Sequence, residues 1–221
     1  MLRKSKISIE WSLQFAYAIG LIVSDGNLSK DGRHLNFTSK DLDLILTFKK
    51  CLNLSNSIGI KGRGENMLCK KYYFIQFGDR NFYQFLNSIG IYSAKSRTIR
   101  SVKVPDLYFK DFLRGCIDGD GCISTYKHKE SAHKQLKVRL YSGSFLFLSY
   151  ILLKTSKLVQ TKGGSITKGK GAYVLSWGKA DAVKILNFMY YDKQSFYLKR
   201  KFAQANIWAD GGIGRHTTLR R

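Results

Sequence analysis

Acidic residues are scarce in this chain. Fifteen Asp and Glu stand against 38 Lys and Arg, a formal net charge of +23 over 221 residues. An excess of that size points to a polyanionic partner. Long hydrophobic runs are also missing. No stretch reaches the roughly 18 apolar residues of a membrane span, and no basic amphipathic anchor replaces one, so no membrane partner is expected. The opening residues Met1–Glu10 lack the apolar region of a signal peptide, which gives the expectation of an intracellular protein in a bacterial or archaeal cytoplasm or an organellar matrix.

Cysteine is limited to Cys51, Cys69, Cys116 and Cys122, with no Cys-x-x-Cys spacing and no nearby histidine pair, so structural zinc is not expected and core thiols are. His34, His128, His133 and His216 likewise lack ligand spacing; His34 and His128 fall on or near expected strands instead. Proline occurs once, at Pro105, where it cannot continue a helix but can open one. What the chain does have is 44% hydrophobic content, enough for a core without covalent staples.

The most informative stretch occurs twice. Ala18-Ile19-Gly20-Leu21-Ile22-Val23-Ser24-Asp25-Gly26 and Leu113-Arg114-Gly115-Cys116-Ile117-Asp118-Gly119-Asp120-Gly121 are each an apolar helical run ending in Asp-Gly. Ala16, Gly20 and Ser24 lie four apart, as do Gly115 and Gly119, so each helix carries a face of small residues. Such faces let two helix backbones approach closely. If the two helices pack on one another, Asp25 and Asp120 arrive side by side. Two carboxylates that close raise each other's pKa unless a cation stands between them. The spacing therefore predicts a paired-carboxylate site for a divalent metal.

The same order of elements surrounds each copy. Ser12 is placed to cap the first helix, which should stop at Gly26. Residues 27–30 and 34–39 alternate polar and apolar across a Lys30-Asp31-Gly32-Arg33 turn, which predicts a hairpin with one wet face. Residues 41–52 have helical apolar spacing, capped by Ser39 or Asp41. A second hairpin over 57–63 and 70–77 follows, then a helix running from Gly78 towards Gly90. Residues 92–105 read as a basic linker. About 100 residues on, the order returns, with Leu140-Tyr141-Ser142-Gly143-Ser144 in the place of Phe37-Thr38-Ser39-Lys40-Asp41. A helix over 195–208 and a Gly-rich basic tail over 209–221 are expected to close the chain.

The two stretches resemble the LAGLIDADG motif of homing endonucleases, with the final acid of each copy at Asp25 and Asp120. In the first copy Val23 stands where the second has Asp118, so the earlier acid reads as dispensable and the later one as required. The likeness extends over about residues 10–206. It implies a monomeric, two-repeat member of α+β class: pseudo-symmetric αββαββα repeats at 1–91 and 106–208, with two antiparallel four-stranded saddle-shaped sheets joined at a two-helix interface. It also implies Mg2+-dependent hydrolysis of both DNA strands across the minor groove, leaving short 3′ overhangs. Mn2+ is expected to substitute and Ca2+ to support binding without cleavage. By matching motifs, the family's looser ring of polar and basic residues falls on Ser39 and Lys40, with Ser142 and Gly143 in their places in the second repeat. Lys95 and Lys201 resemble the lysines near the scissile phosphates. The carbonyls of Ser24 and Gly119 suit the remaining coordination, since hard cations prefer oxygen. Two other functions stay open on this scaffold: a maturase for group I intron RNA, and a DNA-binding regulator without catalysis. Possession of both acids favours the nuclease.

Two sheets covered by helices on one face leave the other face wet. That face collects Asn27, Ser29, Arg33, His34, Asn36, Thr38, Lys61, Arg63, Lys70, Tyr72 and Gln76 in the first repeat, and Ser124, Tyr126, Lys137, Arg139, Tyr141, Lys168, Lys170 and Ser176 in the second. These are the candidate DNA contacts, since a basic β surface can enter the major groove. About eight residues at ~3.3 Å span ~26 Å, or roughly eight base pairs per repeat, so two unlike repeats imply a long, asymmetric duplex target of roughly 16–22 base pairs.

Overall fold

The computed structural model describes the backbone of residues 6–63, 70–127, 134–191 and 196–211, and the side chains of all of these except 63, 70, 127, 134 and 206–211. Cys69, His128, His133, the turn at 64–67 and residues 212–221 lie outside the described residues.

The first repeat begins with α1 (Leu13–Asp25), capped as expected by Ser12, whose hydroxyl accepts from the Phe15 amide at 3.1 Å. Every residue from Phe15 to Val23 is buried, and a helix apolar on all sides belongs in a core. Strands β1 (Gly26–Leu28) and β2 (His34–Ser39), helix α2 (Leu42–Cys51), strands β3 (Ile58–Arg63) and β4 (Lys70–Gly78) and helix α3 (Arg80–Ser88) follow. The second repeat enters through a single 3-10 turn at Asp106–Tyr108, directly after Pro105. It then runs α4 (Phe109–Asp120), β5 (Gly121–Lys127), β6 (Lys134–Ser142), α5 (Phe145–Val159), β7 (Ser165–Lys168), β8 (Tyr173–Gly178) and α6 (Lys179–Met189), and ends on α7 (Lys199–Gly211).

Each repeat builds one antiparallel four-stranded sheet, in the order β1-β2-β4-β3 and β5-β6-β8-β7. The α+β class and the doubled αββαββα order are therefore as expected. Register separates the faces. Leu35 pairs with Phe77 and Phe37 with Ile75, all buried against helices, as are Val138 with Trp177 and Leu140 with Leu175. Phe37 stacks on Phe48 of α2 with ring centroids 4.3 Å apart.

The repeats meet along α1 and α4. A Cβ on Gly20 would stand 2.2 Å from the Phe112 carbonyl oxygen, and one on Gly115 would stand 2.2 Å from that of Tyr17. Only glycine permits that approach.

The segment between the repeats is packed rather than loose. Ile99, Val102 and Val104 are buried, Tyr150 donates to the Val102 carbonyl at 2.6 Å and Ser144 donates to that of Ile99 at 2.5 Å. A buried Arg114 ties α4 to the approach to α7. Its guanidinium pairs with Asp111 at 2.5 Å and donates to the carbonyls of Phe196 and Met189. The last helix starts at Lys199 rather than 195, because the Leu198 amide is taken by Asp118 while the Leu198 carbonyl accepts from Lys201 and Phe202. It also runs past 208, to Gly211. Among the described residues no helix is long and apolar enough to cross a membrane, and Cys51, Cys116 and Cys122 are free thiols.

Candidate active site and nucleic-acid interface

Asp25 is the last residue of α1 and Asp120 the last of α4, so the seam that joins the repeats also joins their acids. Both stand at helix C-termini, where the partial negative charge of the last carbonyls repels an anion and attracts a cation. Burial first, and then the charge of Asp120, raise the Asp25 carboxyl to about 7 against the pull of Lys201 and Lys95. Burial likewise raises Asp120, which the same two lysines draw down.

Those lysines are placed alike in the two repeats. The Lys95 ammonium donates to the carbonyl of Gly26, directly after the first acid. The Lys201 ammonium donates to the carbonyl of Gly121, directly after the second, at 2.7 Å, and also to Ile117 at 2.6 Å, Asp118 at 2.8 Å and Gly119 at 3.3 Å. Burial lowers both lysines, Lys95 to about 8. Ala94 holds φ of 56°, a left-handed conformation that L-residues seldom adopt, immediately before Lys95.

Two buried carboxylates with raised pKa, at the ends of two helices, suit a hard divalent cation. Among the described residues no cluster of three or more His, Cys, Asp and Glu stands ready to hold a metal. Further donors therefore have to be carbonyls, water or phosphate oxygens. The Gly119 carbonyl, expected as such a donor, already accepts from Lys201 at the longest of its four distances. The Ser24 hydroxyl turns back into α1, donating to Leu21 at 3.0 Å.

Asp118 has a structural role that its place in the motif does not disclose. Its carboxylate is buried and accepts from the Tyr17 hydroxyl and the Leu198 amide, both at 2.8 Å. Burial still raises it to about 6. The earlier acid is not spare in this copy: it fixes the start of the helix that carries Lys201. Val23, at the same place in the first copy, instead lines a small cavity beside Asp120, Ser96 and Ile99. The only sequence sign of this role was the Asp-for-Val difference itself.

The two sides of the acid pair are not equivalent. Ser39 and Lys40 rim a cleft of about 440 Å3 that also contains Asp25 and Lys61. Ser142 and Gly143 line the cavity beside Asp120. A side chain at 143 would meet the Ser96 carbonyl at 2.5 Å, so the chain between the repeats occupies the space that a second lysine would need. Arg200 of α7 crosses to the first repeat and holds Asp41 at 2.8 Å, closing one wall of the cleft.

The expected contact residues divide by register. Asn27 pairs with Asn36, Asn36 with Gln76, Thr38 with Phe74 and Lys61 with Tyr72, which puts this set on the face opposite the helices. Arg63 and Lys70 pair with each other on that same alternation. Ser29 follows β1, and Arg33 and His34 lie at the hairpin turn, His34 bonded to Asp31 at 2.5 Å. On the second sheet Ser124 pairs with Lys137 and Arg139 with Ser176, and Lys137 and Arg139 share a concavity of about 530 Å3 with Tyr141. Lys137 lies 5.2 Å from the Tyr126 ring. Lys168 is different: it pairs with Tyr173, on the helix-side alternation, and Ser165 and Thr167 take the wet positions on β7. Lys168 is therefore not on the face that carries Lys137, Arg139 and Ser176. Lys170 lies in the turn between β7 and β8.

No protein-family model and no curated protein matches the sequence. Solved structures do match, at low identity. The chain is similar to the homing endonuclease I-WcaI bound to its DNA recognition sequence, with 15% identity and a TM-score of 0.61 over 88% of each chain. It is similar to the I-LtrWI LAGLIDADG homing endonuclease bound to target DNA, with 12% identity and a TM-score of 0.55 over 87% of each chain. Full-length DUF199/WhiA from Thermatoga maritima is a third, with 15% identity and a TM-score of 0.51 over 94% of this chain and 64% of that one. At such identities the likeness is one of backbone architecture. This chain therefore has the two-repeat LAGLIDADG fold, with an acid at the end of each central helix.

Proposed function

We propose that the chain is a site-specific DNA endonuclease that makes a metal-dependent double-strand break, with short 3′ overhangs, in a long asymmetric duplex. One observation carries the reading: Asp25 and Asp120 stand together at the junction of two repeats, each acid leading directly into a polar and basic sheet.

Asp25 and Asp120 would hold the divalent ions, Mg2+ with Mn2+ as a substitute, and the Ser24 and Gly119 carbonyls are candidates to complete the set. When bound, such ions supply Lewis acidity at the scissile phosphates and lower the pKa of water. Lys95 and Lys201 set one ammonium beside each acid, where positive charge stabilises phosphate oxygens as negative charge builds on them. Ser39, Lys40 and Ser142 rim the same centre. Because Lys40 has no counterpart at Gly143, the two DNA strands meet unlike surroundings, and unequal cutting rates follow. The sheet faces carry phosphate-neutralising and base-reading side chains in two unlike sets, which fits an asymmetric target. Both acids belong to one chain, so a monomer is sufficient.

The test is a randomised duplex library incubated with the protein and Mg2+, with and without chelator, and with Asp25→Asn and Asp120→Asn. Cleavage that stops with chelator and in either variant is expected. Cleavage that persists in both variants overturns the site. DNA binding without cleavage is the second reading. Sequence-selective binding with no cleavage in either metal would favour it, and preference for a structured RNA would favour a maturase.

A further inference from the structure

Phe74 and Val174 occupy the same place in the two repeats. Phe74 lies on β4 opposite Thr38 of β2 and Gly59 of β3; Val174 lies on β8 opposite Tyr141 of β6 and Thr167 of β7. Gly78 and Gly178 end the two strands in matching register, opposite His34 and Lys137. Among the described residues, these are the only side chains on the two wet faces that consist of carbon alone. Their neighbours there are Asn, Gln, Ser, Thr, Tyr, His, Cys, Lys and Arg.

Neither side chain is spent on the core. Both are half-buried, and the inward positions on either side of each, Tyr73 and Ile75, and Tyr173 and Leu175, belong to the helix-side layer. Phe74 lies flat across its own sheet: a Cβ on Gly59 would come within 2.3 Å of its ring, so glycine at 59 makes room for it. The Lys61 ammonium stands 4.5 Å from the ring centroid. Val174 is the one aliphatic side chain in the 530 Å3 concavity that holds Lys137, Arg139 and Ser176. Scattered surface apolar residues are ordinary; the same position kept apolar in two otherwise divergent repeats is not.

A base edge in the major groove offers hydrogen-bond donors, acceptors and one apolar group, the C5-methyl of thymine. We infer that Phe74 and Val174 each read a thymine methyl, at two positions equidistant from the centre of the target. The inference rests on the proposed DNA-binding reading and names part of its specificity. Thr38, opposite Phe74, and Tyr72 line the cleft that contains Asp25, and Tyr141, opposite Val174, lines the cavity beside Asp120. The two thymines therefore lie in the inner part of each half-site.

The probe is a randomised duplex library selected for binding in Ca2+, followed by replacement of each thymine of the enriched duplex, in turn, by deoxyuridine, which lacks only the methyl group. Burial of one methyl predicts about a fourfold weaker Kd at two symmetric positions. Phe74→Ala should remove the sensitivity in one half only, and Val174→Ala in the other. The inference is overturned if thymine is not enriched at paired positions, if deoxyuridine there has no effect, or if both sensitivities survive in Phe74→Ala. A library with no enriched sequence would instead overturn the DNA-binding reading itself.

Discussion

Gly20 and Gly115 touch backbone to backbone across the seam of the molecule: a Cβ built on Gly20 would lie 2.9 Å from the Gly115 Cα, and one built on Gly115 would lie 3.0 Å from the Gly20 Cα. Each helix continues for about one more turn beyond this contact and ends on its acid. The closeness of two glycines therefore sets the closeness of two carboxylates.

Gly20→Ala and Gly115→Ala should each destabilise the fold by about 3 kcal/mol or more, since the added methyl meets backbone oxygen rather than a movable side chain. Urea unfolding measures it. A loss under about 1 kcal/mol would mean that the helices part without strain, and the acids with them.

The raised carboxyl of Asp25 makes stability depend on pH. Between about pH 4, where an unfolded aspartate ionises, and about 7, the folded chain holds more protons than the unfolded one, so stability falls as pH rises through that window. In chelator, Tm should drop from about pH 5 to about pH 8. Added Mg2+ should restore more at the higher pH, where protons no longer compete for the site. Asp25→Asn should flatten both trends, and unchanged trends in that variant would assign them to other groups.

Asp118→Ala strands two buried donors, the Tyr17 hydroxyl and the Leu198 amide. A destabilisation of about 2–4 kcal/mol is expected, with Asp118→Asn milder because its amide oxygen still accepts one of them. If Asp118→Ala unfolds in urea like the parent, the carboxylate does not anchor α7.

Ala94→Gly should stabilise the protein by up to about 1 kcal/mol, because glycine takes the left-handed backbone before Lys95 without steric cost. A lower Tm in the variant would show that unfolded-state freedom outweighs the strain.

Lys61→Ala and Lys137→Ala probe the two sheet faces independently. If each neutralises one phosphate, each should reduce the slope of log K against log salt by about 1. A slope unchanged in both variants would take the sheets off the DNA backbone.

The sequence by itself determined the order of elements, the glycine seam and the acid pair. These rest on local rules: period-two alternation in the strands, an N-cap at Ser12, small residues four apart, and Asp-Gly at two helix ends. Its reach ended where a residue's role depends on partners far along the chain. Asp118 read as a spare acid until its bond to Leu198, 80 residues away, placed it under α7. Lys168 looked like its strand neighbours until pairing with Tyr173 put it on the other alternation, because a slip of one residue turns every side chain over. Gly143 looked like a missing lysine; the tertiary structure shows the Ser96 carbonyl in that space. Periodicity fixes which face a residue can take, but only packing across the seam decides what meets it there.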